Sequence, residues 1–244
     1  MKRTLFVGGF VAAAMLATAG CSAPGRPSAD SQVLRPSRIV DFNILYKTNC
    51  AGCHGQDGRS GAAVAIGDPV YLAIADDTAI RRVVANGVPG TAMSAFAQSS
   101  GGMLTSAQVD AIVAGIRVNW AKPDVLRGQD PPPYAAEQPG DRSRGANVFA
   151  AFCASCHGAD GRGGPHASAI VDASYLSLVS DQHLRTTVIV GVPDLGAPDW
   201  RADVPGKPMS HQDVSDVVAW LAAERPQFTD EAHAGAKIPA GGIQ

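Results

Sequence analysis

The sequence predicts an all-α chain built as two small helical domains in tandem. Three observations carry this reading. A five-residue motif, C-x-x-C-H, is written twice, as Cys50-Ala-Gly-Cys53-His54 and as Cys153-Ala-Ser-Cys156-His157. The residues around it repeat at a near-constant spacing. Caps and stop signals mark out helices on either side of each motif, and no stretch alternates as a strand would.

The elements follow in chain order. Residues 1–20, MKRTLFVGGFVAAAMLATAG, read as a secretory signal peptide: Lys2 and Arg3 form a basic start, Leu5 to Leu16 is apolar, and small Ala19 and Gly20 precede Cys21. The segment is short for a transmembrane helix. Residues 21–38 are rich in Ser, Pro and Ala and read as a tether. Domain 1 spans 39–122. It opens with an amphipathic helix over 39–49 that leads into the first motif. A middle helix over 77–86 has Asp76 or Asp77 as N-cap and Gly87 just past its end. Thr105-x-x-Gln108 is a capping box for a last helix that stops before Pro123. Residues 123–140 carry five prolines and read as a semi-extended linker. Domain 2 spans 141–227, with Ser210-x-x-Asp213 opening its last helix and Pro226 stopping it. Residues 228–244 form a tail without apolar periodicity.

The repeat runs well beyond the motif. Leu45-Tyr46 matches Val148-Phe149, Asp57-Gly58-Arg59 matches Asp160-Gly161-Arg162, and Gly87-Val88-Pro89 matches Gly191-Val192-Pro193. One exchange is informative. Phe42 in the first helix and Gly115 in the last correspond to Gly145 and Trp220 in the second repeat. Large and small trade places, which is expected if the two helices cross closely in both halves and each contact needs one small partner.

The chemistry of the motif follows from its spacing. Two cysteines separated by two residues reach the two vinyl groups of a haem and add to them as thioethers, and the adjacent histidine then meets the iron. A four-cysteine zinc site would leave both histidines unexplained, and a thioredoxin-like pair would follow a strand in a βαβ pattern, which is not seen. Two motifs imply two covalent c-type haems. Each domain, at about 85 residues, is marginal with a protein-only core, and a covalent apolar ring supplies what is missing. Export agrees with this reading, because c-type haem is attached outside the bacterial cytoplasm. The charge balance of 20 basic against 22 acidic groups has no basic run, which argues against a nucleic-acid partner.

The order of short helix, C-x-x-C-H, glycine-rich loop, methionine loop and long last helix resembles the class I cytochrome c fold over residues 39–226. Two such domains behind an export signal look like dihaem periplasmic cytochromes c and the dihaem subunits that feed haem-copper oxidases. The small residues ending at Cys21 resemble a bacterial lipobox, with Thr18 where the pattern has leucine, and imply a lipid anchor on Cys21 at the periplasmic side of the membrane. The resemblance implies thioethers at Cys50, Cys53, Cys153 and Cys156, and iron ligation by His54 and His157. It also implies single-electron transfer between respiratory complexes, with a quinol-oxidising complex and a terminal oxidase as partners. The family places a methionine sulfur on the opposite face of the iron, which raises the reduction potential. Domain 1 has it as Met93 in Gly87-Val88-Pro89-Gly90-Thr91-Ala92-Met93, with Met103 as the alternative if Met93 only fills the core. Domain 2 departs from the pattern, with Ala197 at that position. Its iron then has Met209, a histidine (His166, His183 or His211) or nothing as sixth ligand. His183 corresponds to Ala79 on a short helix and is expected to face solvent. An open second haem would suit a peroxidase-like enzyme or ligand-binding protein, the alternative to an electron carrier. No catalytic triad or acid pair is visible.

Overall fold

The computed structural model describes residues 34–201 and 207–226. The signal segment, Cys21, most of the tether and the 228–244 tail lie outside them. All regular elements among the described residues are helical, with only isolated bridges at Ala97–Leu104 and Val192–Ala197.

In the first half α1 (Phe42–Asn49) starts where the Asp41 carboxylate accepts the Ile44 N–H at 2.9 Å. Cys50 closes it and opens α2 (Ala51–His54), so the motif is itself a helical turn. Next come α3 (Pro69–Ile74), α4 (Asp77–Asn86) and α5 (Ser106–Trp120). Asp76 caps α4, Gly87 ends it at φ +69°, and the Thr105–Gln108 box opens α5. The second half repeats the series as α6 (Arg142–Phe152), α7 (Ala154–His157), α8 (Ala173–Leu178), α9 (Asp181–Val190) and α10 (His211–Ala223), the last opened by the Ser210–Asp213 box. Helices α3 and α8 are not anticipated by the sequence reading. The missed signal is an aspartate N-cap, Asp68 and Asp172, reinforced in the first case by Pro69 at the first helical position.

The crossing of first and last helices is as the large-for-small exchange predicts. A Cβ on Gly115 would stand 2.1 Å from the Phe42 ring. One on Gly145 would stand 2.1 Å from the Asp216 carbonyl oxygen and 2.8 Å from Trp220 Cβ. The close approach also seats an aromatic pair in each half. Trp120 meets Tyr46 edge-on at 5.0 Å between ring centroids, and Trp220 lies on Phe149 at 4.3 Å.

A second shared device escapes the repeat alignment. In the first half the Arg117 guanidinium donates to the Leu72 and Ala75 carbonyls and pairs with Asp77. In the second half Arg225 donates to the Leu176 and Val179 carbonyls and pairs with Asp181. The three acceptors correspond in the two repeats, and they include carbonyls at the ends of α3 and α8. The arginines do not correspond: Arg117 lies within α5, and Arg225 lies beyond the end of α10.

Both halves belong to one unit that starts at Ile39. Helix α3 packs on α9, and one apolar cluster runs from Leu45 and Tyr71 through Ile189 to Val217. The 123–140 segment is not the semi-extended spacer its prolines suggest. It turns at 123–128, Pro132 is fully buried, and Tyr134 meets Tyr71 edge-on at 6.3 Å. Proline has no N–H, so burying such a run leaves mainly carbonyls to satisfy. Buried Arg185 does so, donating to the Pro133 and Tyr134 carbonyls and to Ser215 Oγ.

Candidate metal centres

Each motif folds the same way. The N–H groups of Cys53 and His54 donate to the Cys50 carbonyl at 3.1 and 3.0 Å, and those of Cys156 and His157 to the Cys153 carbonyl at 3.2 and 3.0 Å. One tight turn thus carries two thiols and an imidazole. The first thiol of each pair is largely buried, and burial, then the neighbouring Cys53 or Cys156, pushes Cys50 and Cys153 up to about 11.

The imidazoles are aimed by their loops. His54 Nδ1 lies 2.8 Å from the Val64 carbonyl oxygen, and His157 Nδ1 lies 2.8 Å from that of Ser168. A carbonyl can only accept, so Nδ1 carries the proton and Nε2 keeps a free lone pair for a metal. Burial pushes the His54 pKa down, against the Val64 hydrogen bond, which raises it. The loops lie hard on the motif. A Cβ on Gly61 would stand 2.1 Å from the Cys53 carbonyl oxygen, and one on Gly164 would stand 2.2 Å from that of Cys156. Tyr46 adds a further tie in the first half, donating to the Gly55 carbonyl at 2.9 Å.

The residues present fit a covalent haem: two thiols on one turn, an imidazole with its outer nitrogen engaged, and a glycine that lets the loop close. They do not fit a shared zinc site. Among the described residues no group of three or more His, Cys, Asp or Glu side chains could hold a metal ion.

The opposite-face candidates are placed by the loop after α4 and its counterpart after α9. In the first half Val88 N–H donates to the Met93 carbonyl at 2.8 Å, and Met93 N–H is held by Thr91 Oγ1 at 3.2 Å. In the second, Val192 N–H donates to the Ala197 carbonyl at 3.0 Å. Ala197 therefore occupies Met93's place in space as well as in sequence. Met103 is 81% exposed at the surface. Met209 is 6% exposed in the core, and its N–H donates to the Trp200 carbonyl at 2.8 Å. This matches Leu104, also 6% exposed, whose N–H donates to the Phe96 carbonyl.

The histidines divide. His166 is exposed on the loop that also carries the Ser168 carbonyl, beside the second motif. His211 opens α10 with Nε2 3.8 Å from Asp130. His183, expected to face solvent, is instead partly buried against Tyr175, with centroids 6.4 Å apart. Burial pushes its pKa down, and the nearness of His54, which disfavours a charge on both rings, pushes the same way. Helix α9 packs on the first half, which is why His183 faces inward. Its correspondence to Ala79 in the first repeat carries no sign of this. Arg59, in the loop after the first motif, reaches Asp194 in the turn before Ala197 at 3.8 Å. Neither feature is visible when one repeat is set against the other, because each joins one half to the other.

Residues 143–223 match the family model for cytochrome c, and residues 39–114 match that for cytochrome c oxidase, cbb3-type, subunit III. The chain is 26% identical over 178 residues to the cytochrome bc1 complex cytochrome c subunit of Mycobacterium bovis, covering 72% of this chain and 60% of that one. It is 28% identical to the cbb3-type cytochrome c oxidase subunit FixP of Sinorhizobium medicae, covering 70% and 58%. To the subunit CcoP of Cereibacter sphaeroides it is 30% identical, covering 54% and 44%. The chain thus spans about 60% or less of the length of these relatives. Two cytochrome family matches, one on each C-x-x-C-H turn, make this chain a c-type cytochrome with two all-α cytochrome c domains.

Proposed function

We propose that the protein passes single electrons between a quinol-oxidising complex and a terminal oxidase, as a dihaem carrier or a fixed redox subunit. The observation that carries this is the doubled socket within one unit. Each socket has an imidazole whose Nδ1 is engaged by a loop carbonyl and whose Nε2 is free. The names of the similar proteins, subunits of a bc1 complex and of cbb3-type oxidases, support the same reading. In it, Cys50 and Cys53 hold haem 1 and Cys153 and Cys156 hold haem 2. His54 and His157 would ligate the two irons, and Met93 would supply a thioether to the first. A haem held this way supplies a one-electron iron couple. The protein supplies rigidity. The Val64 and Ser168 carbonyls hold the two rings in orientation and make Nε2 more basic, and the glycine-backed loops shut against the motif. Little then has to move when an electron arrives.

Export and anchoring belong to the same proposal. A lipid on Cys21 would hold the protein at the periplasmic face, within reach of membrane complexes. No helix among the described residues is long and apolar enough to cross a membrane.

The test uses the full chain with both haems attached. Mixed with quinol and a quinol-oxidising complex, both haems should become reduced. Added terminal oxidase and oxygen should then reoxidise them within the turnover time of the oxidase. Failure to exchange electrons with either complex, together with rapid turnover of peroxide, would replace the carrier with an enzyme. For the anchor, Cys21→Ser should move the protein from the membrane to the soluble fraction. An unchanged distribution would remove the lipid from the proposal.

A further inference from the structure

The two opposite-face turns are built on the same backbone bond and end in different side chains. Val88 N–H to Met93 O and Val192 N–H to Ala197 O are equivalent, so the methyl of Ala197 stands where domain 1 has a thioether. The chain has five methionines, and the sequence places them at 1, 15, 93, 103 and 209. The first two lie in the signal segment. Met93 belongs to the first half, and Met103 points to solvent from the loop before α5. That leaves Met209, and its place is the core. It repeats Leu104 in burial and in the backbone bond to the aromatic of the preceding loop, Trp200 for Phe96. That bond fixes its main chain, and its side chain fills a buried apolar site that would be emptied if the sulfur swung out to an iron. Among the described histidines, His166 shares the loop that holds His157 from behind, His211 faces Asp130, and His183 faces Tyr175 and the first half.

We infer that haem 2 has an iron position opposite His157 that no methionine of this chain fills, and that it takes a small neutral diatomic ligand of the carbon monoxide or nitric oxide class. The inference rests on the haem reading of Cys153, Cys156 and His157. The lining chemistry sets the ligand class. The turn offers the Ala197 methyl, and the Asp194 carboxylate of the same turn is drawn towards Arg59 of the first half. An anion would gain nothing from a carboxylate on that turn, whereas a neutral diatomic needs only room.

Carbon monoxide is the probe. Haem content is measured first by the pyridine haemochrome and the mass of the intact chain. A chain with one haem would overturn the haem reading itself, separately from this inference. With two haems present, the reduced protein should bind one carbon monoxide per chain. Ala197→Met should abolish that binding and add a second sulfur-ligated signal in magnetic circular dichroism of the oxidised protein. Met93→Leu should raise the stoichiometry from one to two. Met209→Leu should leave spectrum and stoichiometry unchanged, since leucine already fills this place in the first half. No binding by the unaltered protein would overturn the inference, as would a second sulfur signal lost in Met209→Leu or a bis-histidine signal from haem 2.

Discussion

At the scale of single residues, the proximal side of each site is legible in the sequence and the distal side only partly so. The motif names Cys50, Cys53 and His54 without help from structure, because its spacing is local. The carbonyls that orient the imidazoles, Val64 and Ser168, cannot be read from side-chain identity, since any residue supplies a carbonyl. Met209 is the opposite case: its residue type invites a ligand role, and only the structure shows that it is buried in the same apolar cluster as Trp200. Asp216 is a further residue with no sequence signal. Its carboxylate accepts from Arg144 Nε at 2.7 Å, from Asp141 N–H at 2.7 Å and from Gln212 Nε2 at 2.8 Å, tying the start of α6 to α10. Arg144, with these hydrogen bonds, holds the Asp216 pKa down at about 2. A carboxylate depressed in the folded state stabilises it fully above its unfolded pKa, near 4, and that contribution drains away as pH falls towards 2. Because Arg144 is 58% exposed, solvent screening limits the gain to about 1–2 kcal/mol. Asp216→Asn should therefore lower stability at neutral pH by about that amount. It should also flatten the dependence of the melting temperature on pH between about 4 and 2. An unchanged acid profile would count against the role.

At the scale of elements, helix existence follows from caps and helix contact follows from the glycine exchange. Apart from α3 and α8, both could be read beforehand because a cap is local and the exchange is visible by setting one half against the other. Gly145 faces main chain, the Asp216 carbonyl, whereas Gly115 faces a side chain that can shift. Gly145→Ala should thus destabilise by about 1–3 kcal/mol in denaturant unfolding. Gly115→Ala should be partly rescued by Phe42→Leu, with a coupling of about 0.5–3 kcal/mol in a double-mutant cycle. Equal costs and no rescue would mean that the helices cross elsewhere. The arginine clamps were not legible, because the two donors sit at different places in the repeat and only their acceptors coincide.

At the scale of the whole molecule, the Pro-rich segment changes meaning. Composition predicts a spacer; packing makes it a wedge, with Pro132 buried and its neighbours' carbonyls held by Arg185. The sequence could not announce this, since the partners lie about 50 residues away and the bonds use backbone acceptors. Arg185→Met should leave those carbonyls without a donor, at a cost of about 1–3 kcal/mol. It should also split a single calorimetric transition of the two-haem protein into two, as the halves unfold separately. One transition in both proteins would show that the halves are joined by other means.

The displaced clamps bear on any attempt to rebuild the protein from its own symmetry. Averaging the two halves into a consensus module treats aligned positions as interchangeable, and position by position Arg117 falls against Ala222 and Arg225 against Trp120. A consensus would inherit both guanidinium groups or neither. With both, two cations compete for one set of acceptors; with neither, the carbonyls ending the short helix lose their donor. Duplication here kept the demand and moved the supply, so each half is a working solution only with its own arginine.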